Sequence, residues 1–173
     1  EAKYTENSMA DTKTVQEELY KEILGRIKEN DESCPTKKGD YCYYQRTEQG
    51  LDYPILCRKH KSLESPEEVY LDVNEEAKDH QLFILSSTKP NQEGGLLAYA
   101  YNLTGSLERS LKVRDLKTGK DFPWEITNTT GSMSWLDNEN FLYIHRGPEA
   151  RGQTVFKVNI SEGPESKELV FDK

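Results

Sequence analysis

The sequence predicts a mainly β chain, blades of a β-propeller preceded by an amphipathic helical arm, and three observations lead there. Residues 1–36 hold the only long stretch with a helical apolar period and close on a proline, whereas residues 37–173 alternate short apolar-aromatic runs with Gly-, Asn-, Asp- and Pro-containing segments. The runs recur at a fixed distance: Leu97 and Leu142, Val113 and Val158, and Ile126 and Phe171 are each 45 residues apart. Each recurrence also keeps one order: an apolar-aromatic run (LLAY, FLYI), an alternating run (LKVRDL, VFKVNI), a turn and a last short run. Four-stranded antiparallel units repeated every ~40–50 residues are the sequence signature of propeller blades. A β-sandwich is the rival arrangement of the same strands.

The arm comes first. Residues 11–30, DTKTVQEELYKEILGRIKEN, read as a helix in which Val15, Leu19, Ile23 and Ile27 lie four apart and Leu24 widens the stripe. Asp11 or Thr12 can cap its start, and Glu17 and Glu18 suit the positive end of the helix dipole. Gly25 is its weak spot, and Asn30, Asp31 and then Pro35 end it. A single helix cannot bury such a stripe by itself, so another surface must cover it.

The strands follow. Tyr41–Arg46, a turn at 47–50, Tyr53–Arg58 and Val69–Val73 form the first unit, in the order YCYY, PILC, EVYL. Leu82–Ser86, Leu96–Tyr101 and Leu111–Asp115 belong to the second, and Met133–Leu136, Phe141–His145, Val155–Val158 and Leu169–Phe171 to the third. Leu82–Ser86 and Met133–Leu136 are expected as the innermost strands of their units. Glu75–His80 is expected as one short turn. The chain has room for about three blades, and a ring closes with about four to eight. Open blades expose strand edges and apolar faces. A fragment, a truncated paralogue or one piece of an assembly is therefore expected.

Composition narrows the function. Hydrophobic residues make up 34% and charged ones 31%, but ten Tyr and five Phe argue against disorder. The net charge of −8 argues against a nucleic-acid surface and is compatible with weak steering of basic peptides. No apolar run approaches the roughly 18 residues of a membrane span, and the polar start, Glu1 to Ala10, has no secretory pattern. Cys34, Cys42 and Cys57 match no zinc spacing. They read as reduced, buried thiols of a cytoplasmic protein, a Cys42–Cys57 bridge on neighbouring strands being the weaker alternative. Asn102, Asn128 and Asn159 head N-x-S/T triplets, which also arise by chance in such loops.

No catalytic, cofactor-binding or metal-binding residue is assigned. There is no G-x-S-x-G, and Gly105-Ser106 and Gly131-Ser132 read as turns. His60, His80 and His145 stand apart from one another in sequence and read as surface histidines. Glu29, Asp31 and Glu32 read as a solvated turn, and Asp137-Asn138-Glu139 lacks the glycine and closing glutamate of a calcium loop. Tyr41, Tyr43, Tyr44 and Tyr53 could form a binding platform but read as inter-blade core.

Several stretches resemble the prolyl oligopeptidase family of serine peptidases, in its oligopeptidase B branch. They are EELYKEILGRIKENDESCP (17–35), GDYCYYQRTEQGLDYPILCRK (39–59), SPEEVYLDVNEEAKDH (65–80), GGLLAYAYNLTG (94–105) with LKVRDLKTGK (111–120), and NTTGSMSWLDNENFLYIHR (128–146). The aromatic run, charged turn and YPI-x-CR ending of residues 39–59 are the most specific. Cys42 departs from a usual Trp, Thr88–Glu93 from a Ser-Pro-Asp turn, and Lys157-Val158-Asn159 from a His-Arg pair.

The resemblance implies a seven-bladed propeller over an α/β-hydrolase domain with a Ser-Asp-His triad, and hydrolysis of short peptides after Arg or Lys. By this resemblance, residues 1–36 are an arm that packs on the hydrolase domain, absent from this chain, and residues 37–173 are about three of the seven blades. The chain would then be a non-catalytic gate whose acidic rim draws in basic peptides. A stand-alone propeller-type module binding peptides or proteins, without activity, is the alternative.

Overall fold

In the computed structural model, which describes residues 1–147 and 152–172, two helices lead into two antiparallel sheets. Helix α1 (Ala2–Ser8) passes through a 3-10 turn, Ala10–Thr12, into α2 (Lys13–Leu24). The single helix expected over 11–30 thus ends six residues early, with Gly25 as its C-cap. Glycine loses the most backbone freedom on ordering, and the chain leaves the helix there. Thr12 does not cap α2 through its side chain: its hydroxyl donates to Met9 O at 2.7 Å and accepts from Gln16 Nε2 at 2.7 Å. No residue of either helix is buried, and Val15, Leu19, Ile23 and Ile27 are 50–59% exposed.

The first sheet is β1 (Asp31–Glu32), β2 (Thr36–Lys38), β3 (Tyr41–Thr47), β4 (Ile55–His60) and β5 (Glu67–Asp72), with β1 and β2 both paired to β3. Together β1 and β2 make one inner strand broken around Pro35, which has no N–H for the ladder. This strand lies where the sequence reading expected only a helix end. Val73, expected in a strand, opens α3 (Val73–Ala77), and the Asp72 carboxylate caps it by accepting from Asn74 N.

The second sheet holds eight strands: β6 (Ile84–Pro90), β7 (Leu96–Asn102), β8 (Arg109–Asp115), β9 (Lys120–Asp121), β10 (Ile126–Trp135), β11 (Asn140–Arg146), β12 (Gly152–Asn159) and β13 (Glu168–Phe171). It is two blades sharing one strand. The first part of β10 pairs with β8, Ile126 opposite Leu111 and Thr129 opposite Arg109. The last part pairs with β11, Met133 opposite Tyr143 and Trp135 opposite Phe141. The register breaks between Thr129 and Met133, where Gly131 has φ +82°, a conformation that suits glycine. The chain therefore leaves the outer strand of the second blade and enters the third as its inner strand without a loop.

Two apolar layers hold the blades face to face. Leu56, Leu71, Val73, Phe83, Leu97, Tyr99 and Tyr101 lie between the first and second blades. Ala98, Ala100, Leu111, Val113, Ile126, Met133, Phe141, Tyr143 and Val158 lie between the second and third. Successive residues of a strand point to opposite faces. Hence β7 sends Leu97, Tyr99 and Tyr101 one way and Ala98 and Ala100 the other, and nearly the whole strand is buried. Two separate cores in chain order are the stacking of propeller blades, whereas a sandwich closes on one.

All three cysteines are free. Only Cys57 is buried; Cys42 is half-buried and Cys34 is exposed, which corrects the expectation of three buried thiols. Cys42 lies opposite Lys59, and Cys57 opposite Tyr44.

Candidate functional site

The inner strands β2, β6 and the end of β10 converge. Lys38 Nζ donates to Pro90 O, joining the first blade to the second. Ser87 Oγ donates to Gly131 O at 2.6 Å, Trp135 Nε1 to Lys89 O at 2.6 Å, and Asn91 Nδ2 to Asn138 Oδ1 at 3.1 Å, joining the second to the third. These contacts set the three strands in one direction, with Asp31, Ile84 and Gly131 at one end and Lys38, Pro90 and Trp135 at the other. In a propeller such edges line the central channel. Here they present small polar residues: Thr36, Ser86, Ser132 and Ser134 are exposed, and Thr88 is half-buried.

Two concavities adjoin this wall. Near the Ile84 end, a cleft of about 470 Å³ between the first and second blades is lined by Tyr53, Pro54, Leu56, Phe83 and Ile84 among others. At the opposite end, a cavity of about 430 Å³ is lined by Lys38, Lys89, Gln92, Met133, Ser134, Trp135, Leu136 and Asp137.

Buried polar groups pin the blades in place. Arg58, 6% exposed, donates from Nε to Glu68 at 2.9 Å and from its terminal nitrogen to Gly94 O, with its guanidinium 4.1 Å from the centre of the Tyr41 ring. Gly94 has φ +73°, and a Cβ there would lie 2.6 Å from the same ring. Arg114 joins Glu76 at 2.8 Å and Asp121 at 2.7 Å, while the Tyr99 hydroxyl donates to Asp121 at 2.8 Å. Burial first, then Asp121, pushes the Tyr99 hydroxyl well above its ordinary range, so it stays a donor.

The residues weighed for chemistry do not assemble. His60 packs on Tyr41 at 5.0 Å between ring centres, His80 on Phe83, and His145 on Phe156, in three different places. The Ser106 hydroxyl accepts from Asn102 Nδ2 and from Glu108 N within a loop, and Ser132 sits at the bend of β10. The Asp137 carboxylate caps its own turn, accepting from Glu139 N at 2.8 Å and Asn140 N at 2.7 Å; those backbone bonds, led by Glu139, hold it below the usual carboxylate range. Among the described residues no three His, Cys, Asp or Glu could hold a metal together.

Tyr43 meets Tyr70 edge-on at 5.5 Å, and Tyr44 donates to Glu67, so these aromatics are packing, while Tyr53 borders the cleft. Asn102 is buried, donating to Glu108 O at 2.6 Å and accepting from Gly105 N at 2.6 Å, which leaves no room for a glycan. The sequence reading missed the Lys38–Lys89 cavity; two lysines 51 positions apart carry no local pattern to mark it.

The whole chain, residues 1–173, matches the sequence family described as prolyl oligopeptidase, N-terminal beta-propeller domain. It belongs to that family. More narrowly, it matches the N-terminal region of oligopeptidase B-type enzymes. It is 25% identical to Protease 2 of Moraxella lacunata, over 100% of this chain and 26% of that protein. It is 28% identical to dipeptidyl aminopeptidase BI of Pseudoxanthomonas mexicana, over 98% of this chain and 26% of that protein.

The structure of oligopeptidase B from Trypanosoma brucei with covalently bound antipain, in a closed form, superposes with a TM-score of 0.90 at 27% identity, over 100% of this chain and 25% of that one. Oligopeptidase B from Leishmania major shares the fold, with a TM-score of 0.93 at 23% identity over 98% of this chain and 24% of that one. The chain thus spans about a quarter of the length of the curated relatives it matches. No helix of the described residues is long and apolar enough to cross a membrane.

Proposed function

We propose that this chain is the start of the substrate-filtering propeller of an oligopeptidase B-like serine endopeptidase that cleaves short peptides after Arg or Lys in the cytoplasm. The catalytic triad would stand on an α/β-hydrolase domain elsewhere in the same protein. The observation that carries this reading is the match of the whole chain to the propeller family, while among the described residues the far end of its stack, at the third blade, is apolar and exposed. On the outer face of the third blade, Leu142, Ile144 and Val155 line a groove of about 240 Å³, and Leu169, Val170 and Phe171 of the edge strand are over half exposed. Such faces suit further blades. The Val15, Leu19, Ile23 and Ile27 stripe of residues 1–36 suits the hydrolase domain. Residues 37–173, together with the inner strand that begins at Asp31, would be about three blades of seven, whose small polar inner wall admits an extended peptide and excludes folded protein.

The test is hydrolysis of a fluorogenic dibasic peptide by this purified chain and by the longest product of its gene. Cleavage by the longer protein alone, after Arg or Lys and not after Pro, supports the reading. Cleavage by neither leaves the likeness one of fold, and the stand-alone peptide- or protein-binding module takes its place.

A further inference from the structure

The inner strands are charged in an uneven way. Asp31 and Glu32 are the charged residues of β1, at one end of the wall, and Lys37, Lys38 and Lys89 those of β2 and β6, at the other. The remaining inner segment, the end of β10, carries no charge. In a chain of net charge −8, the lysines of the inner strands thus lie toward one mouth of the channel.

Two of them, Lys38 from the first blade and Lys89 from the second, line the same cavity of about 430 Å³. Among the described residues neither forms an ion pair, although lysines 28, 78 and 157 do. The Lys38 ammonium is held by its bond to Pro90 O, and the Trp135 indole, donating to the backbone carbonyl of Lys89, fixes the stretch of β6 from which the Lys89 side chain extends. Among the described residues one carboxylate lines the cavity, that of Asp137, and it accepts from the backbone of its own turn. Two lysines against one carboxylate leave the cavity lining net positive, which favours an anion between them. Consistently, burial and then the charge of Lys89 push the Lys38 ammonium below its ordinary range.

We propose that Lys38 and Lys89 form a carboxylate-binding subsite at this mouth of the channel, which takes the C-terminal carboxylate of a peptide and so orients it along the inner wall. The flanking Ser134 hydroxyl and Gln92 amide supply further polar groups around the cavity. This rests on the propeller reading above, because only a channel makes the orientation useful. A side-chain carboxylate has the same chemistry, and the test separates the two.

The longest gene product is labelled with an amine-acylating reagent, and the rates at Lys38 and Lys89 are read by peptide mapping, with Lys13 on the exposed arm as control. The probes are an N-acetylated neutral pentapeptide as free acid, the same peptide as C-terminal amide, and the amide with one internal Glu. The free acid should slow labelling of Lys38 and Lys89, but not Lys13, with about a fivefold lower half-protecting concentration than the plain amide, the size of one solvent-facing ion pair. The preference should shrink in about 0.5 M salt. Lys38→Gln, which keeps a donor for Pro90 O, should abolish protection of Lys89.

Protection by the Glu-containing amide equal to that by the acid would reassign the site to acidic side chains and overturn the C-terminal assignment. Equal, or no, protection by acid and plain amide would overturn the subsite altogether. The labelling needs no hydrolysis, so an inactive protein that still shows the acid preference sinks the peptidase reading and keeps this one.

Discussion

Replacing Arg58 with Met tests which contact anchors the first blade to the second. Three interactions end at the guanidinium. The bond to the buried Gly94 carbonyl is charge-assisted and worth about 1.5–3 kcal/mol, and its loss leaves that oxygen without its partner. The stacking on Tyr41 is worth about 0.5–1 kcal/mol. The Glu68 side chain is 47% exposed, so the ion pair is screened and contributes about 0–1 kcal/mol. Met refills much of the aliphatic volume, and the expected net loss is about 3 kcal/mol.

Hydrogen exchange with mass spectrometry on the longest gene product reads this locally. Peptides covering β3 and β4 should exchange about a hundredfold faster in Arg58→Met, since each 1.4 kcal/mol is about tenfold. Glu68→Gln should speed the same peptides by less than about fivefold. If Arg58→Met changes exchange by less than about fivefold, or if Glu68→Gln matches it, the carbonyl and the ring are not the anchors and the reasoning fails.

Two further outcomes follow from burial. Phe141 is fully buried against Trp124, Trp135 and Tyr143, so Phe141→Ala should cost about 3–5 kcal/mol and Phe141→Leu clearly less, read from the urea midpoint at constant slope. In the native protein iodoacetamide should label exposed Cys34 quickly and buried Cys57 only after unfolding, as mass spectrometry would show; rapid native labelling of Cys57 would contradict its burial. Burial, then Glu67, lifts the Cys57 thiol from its ordinary 9.0 to about 11. The folded state thus holds this proton where the unfolded state releases it. Cys57 therefore makes stability fall with pH between about 9 and 11, and Cys57→Ala should flatten that fall.

Much of the fold was legible because its signals are local. The four-residue apolar spacing of Val15, Leu19 and Ile23 encodes a helix face, and the alternation in LKVRDL and VFKVNI encodes strands, through side-chain periods that need no tertiary context. The 45-residue recurrence encodes blades, because each unit must meet its neighbour in the same way. The residue identities also showed that no nucleophile elbow is present.

Tertiary structure decided the rest. The inner strand at 31–38 has no apolar signature, since one edge faces solvent and its pairing with β3 alone makes it a strand. The sharing of β10 by two blades depends on a bend at Gly131 that local propensity does not announce. Cys34 and Cys57 are the same residue type on one blade, yet one is open and the other closed, because only the stacking of side chains decides accessibility. Lys38 and Lys89 are brought together by two blades packing around one axis. Composition constrained the net charge; where those charges meet was a matter of topology.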